Sequence, residues 1–291
     1  MNRHSLFSRL FDGIIIVIVS LYALICLLPF IHIVAGSFTT GAELLRKGFV
    51  LIPTEYSLEA YRYIFSTSTL VRSLGVTIYL TVVGTVINVI FTALLAYPLA
   101  RKDVAGRQAI LKLILFTMLF NGGMIPSFLL VKQLGLLNSL WSLILPGLVG
   151  AFILIILKTF FQQLPDSIEE SAKIDGANDL QILLKIVLPL SMPGIATISL
   201  FYAVGHWNTF MQAVLYINNS ELWPIQVLLR QIILMSSGNI GDSSIMDEGV
   251  VPPAQTVKMG VIVIATVPIL LVYPFLQKHF TKGVMLGSVK G

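Results

Sequence analysis

The sequence is short of charge and almost without cysteine. Only 11% of its 291 residues are Asp, Glu, Lys or Arg, against about 25% in ordinary soluble domains. So little charge excludes an ordinary globular domain in water. The single cysteine, Cys26, lies inside an apolar run, so no disulfide framework exists. The histidines His4, His32, His206 and His279 lie too far from one another and from Cys26 for metal-ligand spacing. No phosphate loop of the G-x-x-x-x-G-K-S/T kind occurs, so the chain has nothing built to hydrolyse ATP. His206 sits beside Trp207 in an apolar run with no G-x-S-x-G nearby, and reads as a packed hydrogen-bonding group. No catalytic set remains, and an enzyme is not the expectation.

What the chain has is hydrocarbon. Hydrophobic residues make up 56% of it, and the mean hydropathy is +0.89. Six apolar stretches, 14–35, 74–99, 110–131, 140–161, 194–217 and 257–276, are each about 20 residues long, enough to cross about 30 Å of lipid. The expectation is an all-α membrane protein with six transmembrane helices in one domain. The first stretch follows Arg3 and Arg9 as a signal peptide would, but it lacks a small-residue cleavage site and reads as a retained helix. The net charge of +5 sits in short clusters beside apolar runs, which is a topology signal and not a nucleic-acid footprint.

With six spans both termini share a side. Arg3, Arg9, Arg101, Lys102, Arg107, Lys112, Lys158, Lys173, Lys185, Lys278, Lys282 and Lys290 fall there, against Arg46, Lys47, Arg62, Arg72, Lys132, Arg230 and Lys258 opposite. The excess places both termini in the cytoplasm. Outside, Ser37 to Ser73 includes a short interfacial helix in PTEYSLEAYRYIF. Asn218 to Thr256 ends in SSGNIGDSSIMDEGVVPPAQ, whose composition predicts a mobile loop.

Between the fourth and fifth spans lies the polar segment Pro165 to Pro193, PDSIEESAKIDGANDLQILLKIVLPLSMP. Ser167 and Glu170 have capping-box spacing, and Glu169 and Glu170 fall in a first turn, where the helix dipole favours negative charge. Gly176 supplies the stop. Asn178 and Gln181 begin a second helix as another box, with Leu180, Leu183, Leu184 and Val187 on one stripe and Pro189 as its end. By spacing alone this is either an interfacial hairpin kept wet by its charges or a capped helix shaped for a groove on a soluble partner.

One resemblance favours the second. Glu170-Ser171-Ala172, three residues to Gly176, nine more to Ile186, then Leu188-Pro189 resembles the EAA loop of ABC-importer permeases, with Ser171 where alanine is usual. The flanks Ile174-Asp175-Gly176-Ala177 and Pro189-Leu190 are similar to the carbohydrate-importer version. Tyr56-Ser57-Leu58-Glu59-Ala60-Tyr61 and Trp207-Asn208-Thr209-Phe210 also look like patterns of that family, whereas Arg72-Ser73 departs from its usual Asn-Ser. Asn121 to Pro126 and Leu134 to Trp141 resemble a subgroup associated with complex oligosaccharides.

The resemblance implies a type I importer permease fold in a bacterial cytoplasmic membrane. It implies a coupling helix, with Glu169, Glu170, Ala172, Asp175, Gly176 and Ala177 docking on an ATPase subunit. It also implies a tail, 278–291, whose Gly287, Ser288, Val289, Lys290 and Gly291 reach between the ATPase subunits. ATP and Mg would belong to that ATPase dimer, and no cofactor to this chain. The further partners implied are a second permease forming a heterodimer and an extracytoplasmic sugar-binding protein. Sugar pathways need amide and aromatic groups, so Trp207, Asn208, Gln212, Asn88 and Asn121 are the expected pathway residues. The alternatives are an ABC permease for a non-sugar solute and a secondary transporter working without an ATPase.

Overall fold

The computed structural model describes residues 6–236 and 255–271. Among them the secondary structure is helical, apart from an isolated antiparallel bridge between Thr39 and Tyr56. The residues divide into two compact units, 1–71 with 229–267 and 72–228 with the remainder.

The first unit opens with α1, Leu6–Ser37. Its apolar side chains from Phe11 to Ile31 lie almost wholly bare, which is stable only where the surrounding solvent is itself apolar, as lipid is. Two short helices follow, α2 (Gly41–Lys47) and α3 (Glu59–Ser66). The segment after α1 is organised around a buried carboxylate. Glu43, 1% exposed, accepts from Lys47 Nζ at 2.7 Å, Thr39 Oγ1 at 2.7 Å, Thr54 Oγ1 at 2.7 Å and the amides of Thr54 (3.0 Å) and Glu55 (2.8 Å). The hydrogen bond from Lys47, then those from Thr54 and Thr39, hold its carboxyl well below the usual carboxylate range. Thr40 caps α2 by accepting from the Glu43 amide at 3.2 Å, and His32 of α1 reaches Val50 while stacking on Phe49. A Thr-x-x-Glu spacing was the only sequence trace of this knot.

The second unit is built on α4, Ser68–Ala100, which enters it at Arg72 and carries a π turn over Leu80–Gly84. It packs against α7 (Ala151–Phe161) and α10 (Met192–Trp207). Gly84 permits the closest approach: a Cβ there would lie 2.5 Å from Nε2 of His206. That nitrogen is buried without a hydrogen bond, so His206 packs through its ring on Gly84 instead of bonding through Nε2. The same seam is tied by Thr92 to the Tyr202 hydroxyl (2.7 Å), by the Gly150 amide to that hydroxyl (3.0 Å) and by Asn88 Nδ2 to the Gly147 carbonyl (3.1 Å).

Three expected spans are bent. The 110–131 stretch is α5 (Arg107–Leu119) and α6 (Met124–Gln133), at 117° to each other. The first helix ends where Phe120 turns extended, Asn121 accepts from the Gly123 amide at 2.8 Å, and Gly123, at φ 89, precedes the second helix in a conformation that favours glycine. The 140–161 stretch is a 3₁₀ segment, Leu140–Gly147, bent 53° from α7. The 194–217 stretch breaks after Trp207, where the Asn208 amide group and the Thr209 hydroxyl bond back to the Val204 (2.9 Å) and Gly205 (3.3 Å) carbonyls, before α11, Met211–Tyr216. Among the described residues two helices, Phe11–Ser37 and Ser68–Ala100, are long and apolar enough to cross alone, and up to five spans result if α5 with α6, Leu140–Gly147 with α7, and Asp179–Leu190 with α10 each count as one. The 257–276 stretch is described as far as Leu271, as the apolar helix Gln255–Leu271. The segment after residue 218 holds an unanticipated helix, α12 (Ile225–Ser236); the expected mobile loop falls mostly outside the described residues.

Leu134–Trp141 has a structural reason. Asn138 adopts φ 57, its side-chain oxygen accepts from the amides of Asn218 (2.6 Å) and Asn219 (3.1 Å), and its own amide donates to Tyr216 at 2.9 Å. Asparagine suits this because it tolerates the left-handed conformation and carries the acceptor.

Candidate functional site

The polar segment after α7 folds into α8 (Asp166–Ile174), a turn, and α9 (Asp179–Leu190). The first capping box expected there does not form. Pro165 occupies the cap position without a side-chain bond, and the Ser167 carbonyl instead accepts from Ser171 Oγ at 2.9 Å. Proline has already set the entry φ, so the helix starts two residues earlier than a Ser167 cap requires. The second box does form: Asn178 accepts from the Gln181 amide at 2.9 Å and Gln181 from the Asn178 amide at 3.0 Å.

Between them Gly176 takes φ +83. Its amide donates to Lys173 at 3.0 Å and that of Ala177 to Ala172 at 3.0 Å, the pair of bonds that defines a Schellman turn. Both alanines pack inward against the cluster of Ala96, Tyr97, Leu99, Phe161 and Ile182.

That packing sorts the faces of α8. Ala172 is 8% exposed and Glu169 half-buried, both facing the bundle, so the smallness of Ala172 serves the chain's own core. Ser167, Glu170, Ser171 and Ile174 are exposed at i, i+3, i+4, i+7, one outward stripe. Ile174 is 86% exposed. The sequence reading missed it, although an isoleucine on a polar helix just before a glycine stop was the available signal. Asp175 and Gly176 are exposed at the turn.

The leucine stripe of α9 is corrected. Ile182, Leu183 and Val187 face inward, while Leu180 and Leu184 are exposed. A π turn over Leu183–Val187 rotates the register, and the helix runs through Pro189 to Leu190 because a wide turn relieves the clash of a proline ring with the carbonyl four residues back. Ser191 makes the break, and α10 leaves at 85°.

Arg101, immediately after α4, is the second unforeseen feature. Its guanidinium, with the side chain 13% exposed, meets Asp179 Oδ1 at 2.5 Å, Asp103 at 3.1 and 3.3 Å and Glu169 Oε2 at 3.9 Å. The Tyr97 hydroxyl accepts from Arg101 at 3.2 Å and donates to Glu169 at 3.3 Å. Desolvation works against the charge on Arg101, but the hydrogen bonds to Asp103 and Asp179 outweigh it and hold the guanidinium above the ordinary arginine value. The bond from Arg101 in turn pulls Asp103 below its own ordinary value.

Of the expected pathway residues, Trp207 and Asn88 are buried in the second unit, whereas Asn208, Gln212 and Asn121 are exposed. The tail residues Gly287, Ser288, Val289, Lys290 and Gly291 lie outside the described residues. No group of three His, Cys, Asp or Glu side chains among the described residues could hold a metal ion.

Bare apolar helices, broken spans and one turned, stapled polar helix pair define a multi-pass helical membrane protein. Residues 94–286 match the model of the family described as binding-protein-dependent transport system inner membrane component. The chain belongs to that family: it is the permease component of such a transport system. It is 62% identical to the polygalacturonan/rhamnogalacturonan transport system permease protein YtcP of Bacillus subtilis (strain 168), over 98% of this chain and 99% of the relative. Protein LplC of the same organism is 53% identical, over 98% and 96%. The fold superposes with TM-score 0.88 and 33% identity on a chain of a crystal structure of a bacterial ABC transporter involved in the import of the acidic polysaccharide alginate, covering 96% of this chain and 100% of that one.

Proposed function

We propose that this permease imports oligosaccharides, acidic uronate chains foremost, as one of two membrane subunits driven by a separate ATPase dimer. The relatives named above support the substrate class, one handling polygalacturonan and rhamnogalacturonan and another alginate. The observation that carries the mechanism is α8, turned at Gly176 and held at its inner face, with Glu170 and Ile174 pointing away from the bundle.

In this reading both termini and α8 are cytoplasmic, following the Lys/Arg bias. An extracytoplasmic binding protein delivers sugar to a cavity shared with the second permease. The ATPase dimer holds ATP and magnesium, closes on them, and carries the docked α8 with it, so the bundles rock from outward-open to inward-open. This chain performs no chemistry of its own. Glu169, Ala172 and Ala177 anchor the docking element, Glu170, Ile174 and Asp175 meet the ATPase, and Gly176 shapes the turn. The tail residues Gly287, Ser288, Val289, Lys290 and Gly291 reach the ATPase interface. Asn208, Gln212 and Asn121 offer amides to sugar hydroxyls, while Trp207 and Asn88 brace that path from behind.

Ile174→Glu tests the docking. Burying an isoleucine is worth about 1.5–3 kcal/mol, so ATPase affinity should fall roughly 10- to 150-fold. The permease pair should remain assembled in the membrane, and uptake of oligogalacturonate should fail. Full ATPase retention and uptake by this variant would defeat the reading.

A further inference from the structure

The adjacent glutamates of α8 have opposite surroundings. Glu170 is exposed, while Glu169 is turned inward to Tyr97 and Arg101. Asp179, on the far side of the Gly176 turn, reaches the same guanidinium at 2.5 Å. The two helices flanking the turn are therefore tied to one side chain, and that side chain is the first residue past the 33-residue helix α4. Arginine suits the position: its planar fork donates in several directions at once, which a lysine ammonium on a flexible stem does not reproduce. The Arg101 side chain is 13% exposed and that of Glu169 21%, so the pair they form is less screened by water than the neighbouring pair of Lys102 and Asp166, both exposed with their charged groups 3.2 Å apart; Asp103 and Asp179 approach the guanidinium from the exposed side.

We propose that Arg101 is a positioning residue for transport, the joint through which displacement of α8 and α9 is delivered to α4. This rests on the reading of α8 as the docking element. With the guanidinium in place, Glu169, Asp179 and the end of α4 move together. Without it, α8 still docks through its outward stripe, held by the Schellman turn and the alanine packing, but its motion reaches α4 only through apolar contacts that can slip.

The test uses the complete transporter in proteoliposomes with its binding protein and oligogalacturonate, reading sugar moved per ATP hydrolysed. Arg101→Gln should keep its ATPase subunits and hydrolyse ATP, while the sugar-to-ATP ratio falls about tenfold. Arg101→Lys should be intermediate, and Lys102→Gln should match the unmutated chain. If Arg101→Gln does not accumulate in the membrane, Asp179→Asn, which leaves the guanidinium with Asp103 and Glu169, should give a smaller fall by the same readout. An unchanged ratio in Arg101→Gln, or loss of ATPase and thermal stability in step with uptake, overturns the joint. Retention of ATPase by Ile174→Glu overturns the docking reading and the joint with it; a normal ratio in Arg101→Gln overturns the joint alone.

Discussion

Replacing Gly176 separates backbone conformation from side-chain size. The residue sits at φ +83, and a Cβ added there meets nothing within 4 Å of the chain. The cost of substitution is thus conformational. An alanine held in the left-handed region costs about 1 kcal/mol, and a valine, branched at Cβ, about 2–3 kcal/mol. Asparagine, which visits that region readily, costs least. A penalty of about 2–3 kcal/mol lowers the population of the turned conformer by roughly 30- to 150-fold. The bundle should stay folded, because the strain is confined to the turn and α4 still packs on α7 and α10, although Ala172 and Ile182 on either side of the turn share the same core cluster. The expected order of ATPase retention after detergent extraction is therefore Gly, then Asn, then Ala, then Val. The decisive comparison is Asn against Ala, since asparagine is larger yet easier on the backbone. Were retention to follow side-chain volume instead, with Ala above Asn, the argument from φ would be refuted and close contact with the ATPase would be the controlling factor.

Glu43 gives a pH dependence of known sign. Its folded pKa lies below the ordinary 4.5, so its stabilisation is complete above that value and disappears as pH falls through the folded pKa. Protease sensitivity of the 38–58 segment in outside-facing vesicles should rise on acidification, and Glu43→Gln should be sensitive already at neutral pH, with a flatter acid response. Gly84→Ala should destabilise the bundle by about 1–3 kcal/mol through its collision with His206, and His206→Ala should recover part of that loss in a double-mutant cycle of melting temperatures; additive losses would show the contact is not responsible. In a Cys26→Ala background, a cysteine at Ser220 should react with an impermeant maleimide from outside and one at Ser171 only after permeabilisation; equal reactivity in intact cells would contradict the orientation.

How much of the polar segment 165–193 was legible depended on whether a residue acts on its own backbone. Gly176 as a left-handed stop and Asn178 with Gln181 as a cap pair follow from short-range chemistry, and both occur as read. Ser167 with Glu170 has the same spacing but fails, because Pro165 had already set the entry to the helix. The EAA-loop pattern carried the family through residues that are mostly local in this sense. It did not show that Glu169 turns inward while Glu170 turns out, because adjacent charges on a short helix look alike until a core is placed beside one of them.

The sequence by itself determined that this is a helical membrane protein, where the apolar stretches lie, and that one capped, turned polar segment separates two of them. Those properties come from hydropathy and backbone preference, which are summed over neighbours in the chain. Tertiary structure alone decided the bends, the seam of Gly84 on His206, the burial of Glu43 and the gathering of Asp103, Glu169 and Asp179 around Arg101. In lipid a side chain facing solvent and one facing the core are both apolar, so hydrophobic periodicity no longer marks the buried face. Ionic partners up to 78 positions apart, as Arg101 and Asp179 are, leave no pattern in a single sequence, because only folding brings their charges within reach.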